Sequence, residues 1–124
     1  MALRLDASPA PVSGDPDRLR QLLGIVIDNA VQHSPAGATV TVSVRSEARQ
    51  AVATVDDDGP GIASENLGRV FDRFWRAPDA PHQGTGLGLS IARWIAEQHD
   101  GSITAANRPD GGARFEIRLP LAPA

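Results

Sequence analysis

Leu19, Leu22, Leu23, Val26 and Ala30 recur at helical spacing between Asp15 and Ser34, and this period predicts an amphipathic helix. Asp15 suits the N-cap and Pro16 the first helical position, while Pro35 and Gly37 end the segment. The pattern then changes to period two. Val40, Val42 and Val44 alternate with Thr39, Thr41, Ser43 and Arg45, which predicts a half-buried strand over 38–46. A polar turn around Glu47-Ala48-Arg49 leads into a second strand over 50–57, and residues 2–7 form a short strand with Leu3 and Leu5 on one face. Ser64 is placed to cap a short helix running to about Phe71. Residues 76–85 carry Pro78, Pro81 and Gly84 among polar positions and read as a mobile loop. Gly88, Ile91, Ala92 and Ile95 share one stripe of a helix from Leu87 to His99, with Gly101 as its stop. Two last strands, about 102–107 and 113–119, flank a Pro109-Asp110-Gly111-Gly112 hairpin turn. Five strands with three interspersed helices predict a two-layer α/β sandwich, its helices on one face of the sheet. Trp94, Phe115, Ile117 and Leu119 read as core.

A chain of 124 residues suits one domain with a sizeable core, and 41% hydrophobic with 22% charged residues is ordinary for a globular protein. No apolar stretch approaches the ~20 residues that cross a bilayer. Cysteine is absent, which excludes disulfides and thiolate metal sites and fits a reducing compartment. Net charge is −3 without a basic run, which argues against a nucleic-acid surface. All 12 basic residues are arginine. Any anion site must therefore be built from N–H groups and a few guanidinium groups.

Two glycine clusters supply candidate chemistry: Asp57-Asp58-Gly59-Pro60-Gly61-Ile62 and, 25 residues on, Gly84-Thr85-Gly86-Leu87-Gly88-Leu89. Glycines at alternate positions let backbone approach a bulky ligand. The second cluster runs into a predicted helix start, where N–H groups cradle anions. Neither Gly-x-x-x-x-Gly-Lys-Ser/Thr nor Gly-x-Gly-x-x-Gly is present. Upstream, Ile25, Asn29, Gln32 and His33 form one stripe of the first helix, and an asparagine amide oxygen suits Mg²⁺. Parity along 50–57 sends Asp57 inward after Ala51, Ala53 and Val55, where a carboxylate needs a donor. Asp56 and Asp58 read as solvated.

With Val70-Phe71-Asp72-Arg73-Phe74-Trp75-Arg76 between the clusters, the chain resembles the ATP-binding catalytic domain of bacterial sensor histidine kinases. That superfamily is shared with gyrase, MutL and the ninety-kilodalton heat-shock chaperones. The resemblance covers about Asp15 to Pro120, with four motif boxes in order. It implies a mixed, mostly antiparallel sheet and a flexible ATP lid. It also implies ATP and Mg²⁺ as ligands, with Asn29 as metal ligand and catalytic residue. Asp57 would read the adenine amine, with Gly59, Gly61 and Ile62 beside the base. Gly84, Thr85, Gly86, Leu87, Gly88 and Leu89 would meet the phosphates. His33 matches a position near the phosphates and equally fits a surface histidine. Arg73 and Arg76 are the candidates for the γ-phosphate, with Arg76 favoured, and Phe71, Phe74 and Trp75 would pack at the lid's root.

Two positions depart from the family's pattern. Ile25 stands where the family usually carries Asn or, in its hydrolysing members, Glu. Gln32 stands where Lys is frequent. The implied function is transfer of the γ-phosphoryl to a histidine on a separate dimerisation domain, in two-component signalling with a downstream response regulator. His33, His82 and His99 lack the acceptor's sequence context, so residues 1–124 read as one domain of a longer sensor, on its cytoplasmic side and monomeric by itself. The alternatives are an anti-sigma-factor-type serine kinase and a nucleotide-sensing module without catalysis.

Overall fold

The computed structural model describes residues 2–75 and 88–122. Among them lie five strands and two α-helices: β1 (Ala2–Ala7), α1 (Pro16–His33), β2 (Thr39–Glu47), β3 (Gln50–Asp56), α2 (Gly88–Gln98), β4 (Ser102–Asn107) and β5 (Ala113–Pro120). The sheet order is β1-β2-β3-β5-β4; β1 is parallel to β2 and the other pairings are antiparallel. This is the expected mixed sandwich, except in its helix count. In place of a third α-helix, Ser64–Asn66 form a 3₁₀ turn, and the chain continues to Trp75 through i→i+3 bonds. Ser64 makes no capping bond. Val70 alone is deeply buried in this stretch, too little apolar surface to hold a helix against the sheet.

Asp15 caps α1 as expected, its Oδ1 accepting from the N–H groups of Asp17 and Arg18. Leu22, Val26 and Ala30 of α1 meet Ala92, Ile95 and Ala96 of α2 over Val40, Val42, Val55, Phe115 and Ile117 of the sheet. The pleat builds that floor in rows. Leu5, Val42, Val55, Phe115 and Ala105 stand side by side across all five strands. Two helices do not cover the whole row, and Leu3 and Leu5 on β1 stay 61% and 73% exposed. Trp94 is also outside the core, 53% exposed on the outer side of α2, with Ile91 at the margin. Helical period placed Ile91 and Trp94 near the apolar stripe, but no further layer packs over α2 among the described residues.

Among the described residues, no helix covers the opposite face of the sheet. Arg45 and Arg118 flank Val52 in register, and their apolar stems cover it, so Val52 is fully buried. Their charged ends pair with Glu47 and Glu116. Asp56, expected to be solvated, is gripped by Arg114 at 2.7 and 2.9 Å, and that hydrogen bond holds the guanidinium above its ordinary pKa. No helix among the described residues is long and apolar enough to cross a membrane.

Near the start of α1, Leu19, Leu22, Leu23, Val44, Ala53 and Ile117 help line a half-open apolar pocket of about 130 Å³. Ala53→Val adds two methyl groups there on a strand that favours β-branched side chains. It is expected to stabilise the fold by about 0.5–2 kcal/mol. A melting temperature several degrees higher would register this gain, and a lower one would show that the pocket cannot take the added volume.

Candidate functional site

The C-terminal half of α1 is met by two segments far apart in sequence. A Cβ on Gly88, the first residue of α2, would lie 3.4 Å from Ile25 Cγ2. A Cβ on Gly59 would lie 2.6 Å from the carbonyl oxygen of His33. One stripe of α1, from Ile25 through Asn29 to His33, thus joins the start of α2 to the first glycine loop. Eight residues of helix make that span about 12 Å.

Asp57 follows Val55 onto the helix side of the sheet and is 3% exposed. Its Oδ1 accepts from the N–H groups of Gly59 at 2.9 Å and Ala113 at 3.0 Å, while Oδ2 takes no hydrogen bond from a described residue. One oxygen thus holds the carboxylate in place, and the other keeps its acceptor capacity. Gly59 has a tighter role than expected, since any side chain there would strike the end of α1. Gly61 takes φ +80°, and Ile62 follows it half-buried against the core.

The β4–β5 turn holds this loop, a role that sequence reasoning missed. Asn107 Oδ1 accepts from the Ile62 N–H and Asn107 Nδ2 donates to the Ile62 carbonyl, both at 2.7 Å. Arg108 donates through Nη1 to the Asp57 carbonyl at 2.9 Å and to Asp58 Oδ1 at 3.2 Å. Asp58 Oδ2 in turn accepts from the Thr39 N–H. Gly112, at φ +83°, lies directly against the Asp57 carbonyl. Two adjacent glycines where one would make the turn were the available signal.

Asn29 is half-buried, and its side-chain amide bonds to no described residue. Its carbonyl accepts from His33 Nδ1 at 2.7 Å, so that nitrogen carries the proton and the ring lies back along α1. Arg73 is exposed, its guanidinium 5.3 Å from the Phe74 ring centroid. Phe71 meets Phe115 edge-to-face at 6.0 Å and Trp75 packs on the core, as expected. Phe74 does not pack. It is 63% exposed at φ +64° and is not among the residues packed on the core.

Gly88 and Leu89 begin α2, whose first turn carries no acidic residue. The N–H groups of a first helical turn have no intrahelical partner and favour an anion. Arg76, Gly84, Thr85, Gly86 and Leu87, with most of the expected lid, lie outside the described residues. No group of three or more His, Cys, Asp or Glu side chains able to hold a metal occurs among the described residues. The neutral Asn29 amide suits a cation whose remaining ligands are phosphate oxygens and water.

Residues 14–123 match the family model described as histidine kinase-, DNA gyrase B-, and HSP90-like ATPase. A curated relative, the signal transduction histidine-protein kinase AfsQ2 of Streptomyces coelicolor, is 47% identical over 111 residues, covering 88% of this chain and 20% of that protein. The mycobacterial sensor histidine kinase MprB structure superposes with a TM-score of 0.91 at 30% identity, covering 99% of this chain and 85% of that one. Full-length ShkA in complex with AMPPNP gives 0.83 at 28% identity, covering 99% and 26%. The chain spans between 20% and 30% of the length of the first curated relatives it matches. The buried carboxylate, the glycine loop against α1 and the helix start at Gly88 are thus found on a known scaffold, and the chain belongs to the histidine kinase-, DNA gyrase B- and HSP90-like ATPase family, where it is an ATP-binding domain of the sensor histidine kinase type.

Proposed function

We propose that this domain binds Mg²⁺-ATP along the stripe Ile25–Asn29–His33 and delivers the γ-phosphoryl group to a histidine on a separate phosphoacceptor domain. The observation that carries this reading is Asp57, buried with Oδ1 occupied by two N–H donors and Oδ2 left for the exocyclic amine of adenine. Gly59, Gly61 and Ile62 flank the base. The phosphates extend towards Gly88 and Leu89, and the resemblance assigns Gly84, Thr85, Gly86 and Leu87 as further phosphate contacts. When bound, Mg²⁺ neutralises phosphate charge, and Asn29 is its ligand from this chain. Arg73 and Arg76 are the cations available for the γ-phosphate, with Arg76 favoured by the family's aromatic-Arg pair. His33 contributes at the phosphates only through Nε2, since Nδ1 is committed to the Asn29 carbonyl.

Transfer forms a bond from phosphorus to an imidazole nitrogen, through that nitrogen's own lone pair, and breaks the bond to the β-phosphate oxygen. ADP leaves with the electron pair. Nothing in this step asks for a base on the domain, so positioning and charge neutralisation supply the catalysis. Residues 1–124 are one domain, monomeric by itself, on the cytoplasmic side of a longer sensor. Its partners are the phosphoacceptor domain and, through it, a response regulator.

Calorimetry tests the binding half. Losing a charge-assisted hydrogen bond to a buried partner costs about 1.5–3 kcal/mol, so Asp57→Asn is expected to weaken ATP about tenfold or more. Asn29→Ala is expected to remove the Mg²⁺-dependent part of the affinity. Unchanged ATP binding in Asp57→Asn would sink the adenine assignment. The transfer half is tested with γ-labelled ATP and the phosphoacceptor domain of a related sensor kinase. Tight ATP binding without label on the acceptor histidine would leave a nucleotide-sensing module instead.

A further inference from the structure

We propose that the β4–β5 turn sets the base selectivity of this site, with Asn107 and Arg108 as positioning residues that aim Asp57 Oδ2 at the exocyclic amine. The proposal rests on the adenine reading of Asp57. Of the two donors on Asp57 Oδ1, Gly59 belongs to the loop itself and moves with it, whereas Ala113 lies on β5, immediately after the turn. The turn is closed by Arg108 N–H to the Gly112 carbonyl at 2.9 Å and Gly111 N–H to the Arg108 carbonyl at 3.1 Å. It then takes hold of the loop at both ends. Arg108 binds the Asp57 carbonyl and Asp58 Oδ1 at the near end, and Asn107 brackets the Ile62 peptide from both sides at the far end. The Arg108 side chain is only 23% exposed and its bond to the Asp57 carbonyl is part-buried, so that bond is less screened than a surface contact. Neither side chain is positioned as a ligand contact in this reading. Their effect reaches the base through the direction of one carboxylate.

A directional contact fails selectively when its support loosens. A carboxylate that swings loses the amine hydrogen bond, while stacking and phosphate contacts persist. Selectivity between ATP and purine riboside triphosphate, which differs only in lacking the amine, therefore separates positioning from general stability. Calorimetric Kd values for both nucleotides would be measured on the wild-type chain and on Asp57→Asn, Asn107→Ala, Arg108→Met and Arg108→Lys, with melting curves to confirm folding. The wild type is expected to prefer ATP by about tenfold or more. Asn107→Ala and Arg108→Met are expected to cut that preference to about threefold or less through the ATP value alone, with Arg108→Lys retaining part of it. If either variant fails to fold, Asn107→Asp keeps the acceptor for the Ile62 N–H, replaces the donor with a carboxylate oxygen that faces the Ile62 carbonyl, and is expected to lower the preference as well.

Unchanged preference in folded Asn107 and Arg108 variants, or equal weakening of both nucleotides, would overturn the proposal. If Asp57→Asn alone collapses the preference, the adenine reading stands and only the role of the turn falls. If Asp57→Asn keeps the wild-type preference, both fall together.

Discussion

Gly112→Ala is expected to destabilise the domain by roughly 2–5 kcal/mol and to abolish measurable ATP binding under conditions where the wild type is saturated. Gly112 has φ +83°, a conformation that costs an L-residue about 1–2 kcal/mol. Its added Cβ would also collide with the carbonyl oxygen of Asp57, which is backbone and has no rotamer to escape into. Overpacking of this kind adds about 1–3 kcal/mol. Against a typical net stability of about 5–15 kcal/mol, that is a large fraction. The binding effect arises because the displaced atom is the Asp57 carbonyl, which carries the buried carboxylate with it. Gly111→Ala is the matched control. Its φ of +101° imposes backbone strain, but its Cβ meets open space. Thermal unfolding and ATP titration of both variants decide the matter, and equal losses at the two positions would show that strain alone governs the turn.

The second large effect concerns water. The domain without an acceptor is expected to hydrolyse ATP far more slowly than the ~1–10³ s⁻¹ typical of enzymes. Ile25 is half-buried and packs beside Gly88 at the start of α2, and the family resemblance equates it with the place where hydrolysing members carry a carboxylate. An aliphatic side chain accepts no proton, and general-base assistance is worth about 10²–10⁴-fold. A histidine acceptor brings its own lone pair, so phosphoryl transfer keeps its rate while attack by water does not. A contaminant-free preparation followed by phosphate release and by label transfer measures both rates. Turnover near 1 s⁻¹ without an acceptor would remove the basis for separating them.

Legibility followed contact distance along the chain. The Asp15 cap, the α1 period, the alternation along the first half of β2 and the inward direction of Asp57 are set by neighbours within a few residues, and the structure reproduces each of them. Errors arose where coverage by another element decides the outcome. Trp94 sits on a correctly placed helix, with nothing among the described residues packed above it. Asp56 alternates outward as expected, yet it is held by Arg114, 58 residues away.

The site divides along the same line. Sequence by itself determined the family, the glycine loop and the inward, buried Asp57, because motif order, residue identity and local period carry those properties. Tertiary structure alone decided why Gly59 and Gly112 must be glycine, and which residues hold the first glycine loop. Asn107 reaches Ile62 across 45 residues and Ala113 reaches Asp57 across 56. Bonds over such distances exist only after the sheet has paired β3 with β5, since that pairing brings the two turns to the same edge, and no local pattern of residue types records it.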